Sequence, residues 1–143
     1  MNWAAPFAEV EAGTRFTTRG RTVTEADVVG FAGLTGDVHP VHTDAVYAAG
    51  TQFGQRIAHG LLVVSMAVGL VPLDPHRVLA LRKLSDVVLK RPVHLGDTIH
   101  VEGKVTATRA VSDEAGLVSC AWTIHTHESG LVTRVGVDLL WAA

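Results

Sequence analysis

The order of hydrophobic and polar positions divides the chain into three zones, and the clearest lies in the second half. From Ile99 to Ala107 the odd positions are Ile99, Val101, Gly103, Val105 and Ala107, while the even ones are His100, Glu102, Lys104 and Thr106. A period of two predicts a half-buried strand. Turn-forming residues punctuate the region: Gly96-Asp97 precede this strand, Ser112 to Gly116 follow it, and Glu128-Ser129-Gly130 separate two further runs. Val118, Cys120, Trp122 and Ile124 make one face of the first of these runs. Leu131, Val135, Val137, Leu139 and Trp141 make one face of the last. An earlier strand is expected from Val78 to Val88.

The middle zone runs from Ala58 to Leu70 and has no polar stripe. Ala, Leu and Met favour a helix there, and the run is long for a buried strand. A helix that is apolar all round must be covered on every side. In the first zone, an edge strand near Phe16 to Val23 leads into Thr24-Glu25-Ala26-Asp27. Thr24 is placed to cap a helix and Asp27 to sit in its first turn, with Val28, Phe31, Ala32 and Leu34 as the apolar face. Gly36 is placed to end that helix in a left-handed turn, leaving Asp37 on a loop. One apolar helix followed by long antiparallel strands predicts an α+β fold in which a sheet wraps the helix. A single sheet covers one side only, so a symmetric dimer is expected to cover the other.

Composition narrows the function classes. At 143 residues, with no repeat or linker-like shift, the chain reads as one domain over 1–143. The formal net charge is −2 and no Lys/Arg stripe is present, which argues against nucleic-acid binding. The single cysteine, Cys120, rules out an internal disulfide and points to a reducing, cytoplasmic compartment. The N-terminus does not read as a signal peptide, and the longest apolar stretch is too short for a bilayer, which takes about twenty residues.

The segment Gly36-Asp37-Val38-His39-Pro40-Val41-His42-Thr43-Asp44 stands apart, with a carboxylate and two imidazoles around a proline. Asp37 and His42 share neither a helix face nor a strand face at this spacing. They meet only if the loop folds back, which Gly36 and Pro40 make feasible. A carboxylate and an imidazole meeting at one water can remove a proton from it and return one to carbon. Addition of water to a double bond conjugated to a thioester also builds negative charge on the carbonyl oxygen. Unpaired N–H groups at the start of the apolar helix, at Gly60, are suited to receive it.

Phe31-Ala32-Gly33-Leu34-Thr35-Gly36-Asp37-Val38-His39-Pro40-Val41-His42-Thr43-Asp44, then Tyr47-Ala48, Thr51 to Gly54 and Ile57 to Leu62, together resemble the hydratase 2 signature of MaoC-like (R)-specific enoyl-CoA hydratases. The resemblance implies a hotdog fold, a curved antiparallel sheet around a central helix, and a homodimer. It implies reversible syn addition of water to a trans-2-enoyl thioester, carried by coenzyme A or an acyl carrier protein, with no metal or redox cofactor. By that likeness Asp37 and His42 hold and activate the water and Gly60 donates its N–H to the thioester oxygen. Ser65 and His39 support them, and Tyr47, Phe53 and His59 line the acyl pocket. His39 stands where the family commonly has Asn, which adds bulk and a titratable proton.

Plainer readings stand beside these. Asp37 is a turn residue if taken alone, His59 a structural residue near a helix start, and Ser65 a hydroxyl bonding the carbonyl four residues back. His125 and His127 share a strand face, but no cysteine pair or His-Glu-x-x-His helix accompanies them, so no metal site is expected. Arg56, Arg82, Lys83, Lys90 and Arg91 either meet a coenzyme A phosphate or are solvated. The competing functions are a hotdog acyl-CoA thioesterase and a non-catalytic acyl-thioester binding subunit.

Overall fold

The computed structural model describes residues 1–143. Two short strands, β1 (Arg15–Thr17) and β2 (Arg21–Thr22), lead into helix α1 (Glu25–Thr35), and two one-turn helices follow, α2 (Pro40–Thr43) and α3 (Ala45–Ala49). The apolar helix α4 (Gly60–Leu70) precedes four long strands, β3 (Val78–Leu89), β4 (Thr98–Ala110), β5 (Ala115–Thr126) and β6 (Gly130–Ala142). The strands form one antiparallel six-stranded sheet, ordered β1-β4-β5-β6-β3, with β2 also on β4. This is the curved sheet around a helix that the sequence leads one to expect, and it is not a closed barrel. No helix is long and apolar enough to cross a membrane.

The core lies between the inner face of the sheet and α4. Ile99, Val101, Val105, Val118, Trp122, Ile124, Val137, Leu139 and Trp141 meet Leu62, Val63, Met66 and Ala67 there. Burying side chains of this size contributes about 1.5–3 kcal/mol each relative to exposure, and this drives the sheet onto the helix. Gly103 sits in the alternating run because the Phe16 ring occupies the place of its side chain, 2.1 Å from where a Cβ would be.

Several local expectations need correction. The edge strand expected from Phe16 to Val23 is broken into β1 and β2, because both pair with β4 but Thr18 turns its hydroxyl to the Val101 N–H. Leu34, assigned to the buried face of α1, is 85% exposed, since that helix buries Val28 and Ala32 and packs Phe31 against the core, leaving Leu34 on its outer side. Ala107 leaves the inner face at a β-bulge after Val105. A second irregularity, where Ile124 and His125 meet β6, puts Val132 and Thr133 in the interior in place of Leu131. A one-residue bulge reverses the side to which following residues point.

One stripe of α4 is open to solvent at Leu61, Ser65 and Gly69. The edge strand β3 also exposes Leu79, Leu81, Leu84, Val87 and Leu89. The apolar helix is therefore uncovered on the side that the sheet does not reach.

Candidate active site

Local chemistry folds the Asp37 segment back on itself. Thr24 accepts from the Asp27 N–H while the Asp27 carboxylate accepts from the Thr24 N–H, a reciprocal cap that fixes the start of α1. The helix ends at Gly36, whose φ of 76° is the left-handed turn the sequence requires, with its N–H donating to the Ala32 carbonyl at 2.9 Å. Asp37 follows directly, its N–H donating to Thr35 Oγ1 at 3.2 Å. His39 holds an extended backbone before Pro40, and its Nδ1 accepts from the Val41 N–H at 3.2 Å, capping α2. The segment expected to be loop thus contains a helical turn, and this turn presents His42 toward Asp37.

The start of α4 closes the site. Ile57 donates its N–H to the Val41 carbonyl at 3.2 Å, and its own carbonyl lies 2.7 Å from His42 Nδ1. A carbonyl only accepts, so Nδ1 carries the proton and Nε2 keeps its lone pair. His59 is 2% exposed, and its Nε2 lies 2.9 Å from the Asp37 carbonyl. The rings of His42 and His59 stack with centroids 3.8 Å apart at 27°, and Phe31 packs on His59 at 5.0 Å. One carboxylate oxygen of Asp37 and one ring nitrogen each of His42 and His59 lie within 4.8 Å of one another. Residues 37 and 42, distant on any regular face, are therefore brought together, within reach of a single shared water.

Electrostatics favour a neutral His42. Partial burial lowers its pKa below the ordinary histidine value, the Ile57 carbonyl opposes this, and neighbouring His59 and His39 add to the lowering against Asp37. Each of the two stacked imidazoles has one ring nitrogen committed to a backbone carbonyl, His42 Nδ1 to Ile57 and His59 Nε2 to Asp37.

Beside this cluster a cleft of about 210 Å³ is lined by Phe53, Ile57, Gly60, Val63, Leu89, Lys90, Arg91 and Thr133, among others. No side chain caps α4, and the Gly60 N–H has no partner in the fold. The positive end of the helix dipole therefore faces the cleft. A Cβ at Gly60 would lie 2.2 Å from Leu89 Cδ1, so any other residue here must push that side chain aside.

The other expected residues are placed differently. Ser65 is exposed and donates to the Leu61 carbonyl at 2.8 Å, with no bond to Asp37 or His42. Tyr47 is half-exposed on α3, its ring 6.2 Å from that of His39. Phe53 reaches the cleft, whereas His59 lies buried behind His42. Arg56 is paired with Glu25, and Arg91 is held by the Ser129 and Leu131 carbonyls. Lys90 is the exposed cation at the cleft rim. Cys120 is no nucleophile, because burial pushes its thiol up to about 11. Sequence reasoning overlooked Ile57, whose backbone carbonyl orients His42, and Phe31, which packs on His59. A backbone acceptor leaves no signal in residue type.

Residues 7–121 match the family described as MaoC like domain. The chain is 41% identical over 96 residues to the protein MaoC of Klebsiella aerogenes, covering 66% of this chain and 29% of that protein. It is 34% identical over 98 residues to an (R)-specific enoyl-CoA hydratase of Aeromonas caviae, covering 68% of this chain and 73% of the relative. Among solved structures, one named monoamine oxidase regulatory protein, from Archaeoglobus fulgius, superposes with a TM-score of 0.90 at 33% identity, covering 96% of this chain and 94% of that one. The chain thus spans less than a third of the Klebsiella relative, and most of the other two.

Proposed function

The chain belongs to the MaoC-like domain family, and on that premise we propose that it adds water reversibly to trans-2-enoyl thioesters, giving (R)-3-hydroxyacyl thioesters. The observation that carries the reading is the convergence of Asp37, His42 and His59 within 4.8 Å, next to an uncapped helix start. In this scheme the Asp37 carboxylate accepts one O–H of the water, and His42 Nε2 takes the proton of the other. The oxygen attacks C3, the C2–C3 π electrons move toward the thioester carbonyl, and the Gly60 N–H stabilises its oxygen. His42 then returns its proton to C2 from the same side, which makes the addition syn. No metal or redox cofactor enters. The same steps in reverse dehydrate the hydroxyacyl thioester.

The cleft supports a thioester substrate, with Lys90 at its rim suited to a phosphate of coenzyme A or of an acyl carrier protein. The open stripe of α4 and the apolar edge of β3 support a homodimer in which a second copy covers both. The single buried cysteine accords with a cytoplasmic setting. The test is a panel of trans-2-enoyl thioesters varied in chain length and carrier, with the stereochemistry of the product determined. The (R)-3-hydroxyacyl product is expected. Release of free thiol without hydroxyacyl product would place the chain among the thioesterases instead.

A further inference from the structure

His59 occupies the N-cap position of α4, yet its side chain makes no bond to the helix it precedes. An N-cap side chain ordinarily accepts from the first helical N–H groups. Here the ring turns away, and its Nε2–H donates to the Asp37 carbonyl at 2.9 Å. One ring face lies 3.8 Å from His42, centroid to centroid. Its Nδ1 is buried and has no partner. A buried acceptor left unpaired is destabilising. An apolar ring of the same shape would pack the position without that penalty, so packing alone does not account for a histidine here.

We infer that His59 is a positioning residue: one buried imidazole ties the Asp37 backbone to the start of α4 and stacks against the ring of His42. The three parts of the proposed water-adding site are thereby held in one register. The inference rests on the hydratase reading for its catalytic consequence, but not for its hydrogen bond.

The experiment measures kcat, KM and thermal melting of His59→Phe and His59→Gln, together with ¹⁵N NMR of the histidine rings in the unmodified protein. The Phe variant keeps a ring and removes the unpaired nitrogen. It is expected to melt close to the wild-type temperature, because loss of the bond to Asp37 offsets removal of the unpaired nitrogen, to hold KM within about two-fold and to lose about ten-fold or more in kcat. Gln restores an N–H donor for the Asp37 carbonyl and is expected to recover part of kcat. A merely structural histidine predicts losses that follow stability, with no rescue. Wild-type kcat in the Phe variant overturns the inference, and so does a wild-type spectrum with the His59 proton on Nδ1. That spectrum decides the matter even if the Phe variant fails to fold. If wild type itself does not hydrate enoyl thioesters, the functional reading fails, while the spectrum still reports the tether.

Discussion

At the scale of single residues, the proposed reaction depends on the protonation of His42. Its Nδ1–H is committed to the Ile57 carbonyl, so the base is Nε2, and burial holds the ring neutral to lower pH than usual. The acid limb of kcat/KM is therefore expected to have its midpoint below the ordinary histidine value of about 6.5, as a pH-rate profile will show. The same shift acts on stability. The folded-state pKa is depressed, so the unfolded chain binds more protons between the two pKa values. The contribution is full above the unfolded value and disappears as pH falls through the folded one. Urea midpoints measured across this window should fall toward acid pH, and His42→Gln should flatten that part of the curve.

At the scale of elements, two junctions hold the site. The reciprocal cap between Thr24 and Asp27 fixes the start of α1, and Asp27 also pairs with Arg21. Thr24→Ala should reduce unfolding free energy by about 1 kcal/mol, measurable by denaturant titration. At the other junction, Gly60→Ala brings a methyl group onto the Leu89 side chain. The variant should fold, since Leu89 is half-exposed and can move, but activity should drop because the cleft narrows at its backbone donor.

These junctions also mark how far the sequence could be read. The start of α1, its end at Gly36 and the whole of α4 were legible because each has its own local signal: a capping residue, a left-handed glycine, an unbroken apolar run. The long strands were legible from alternation until a bulge intervened, as at Ala107 and Leu131. Bulges depend on the partner strand, and no single run encodes them. The convergence of Asp37 with His42 was a geometric requirement at the sequence level. Ile57 and His59 meet it from a segment fifteen or more residues away.

At the scale of the whole molecule, the sheet covers one side of α4 and leaves Leu61, Ser65 and Gly69 open beside the apolar edge of β3. In the proposed dimer a second copy covers this exposed apolar surface. Sedimentation analysis is expected to find a dimer, and Leu84→Lys on β3 to shift it toward monomer. A wild-type protein that sediments as a monomer at all concentrations would remove the dimer from the account.

The central claim is that Asp37 and His42 act on one water that is added across a double bond. It is tested most directly by following the enone-thioester absorbance of a short trans-2-enoyl-CoA with wild type and Asp37→Asn. Wild type should remove the absorbance, and the Asn variant, which keeps the shape but not the charge, should be slower by about a hundred-fold or more. Equal rates in the two proteins, across chain lengths, would contradict it.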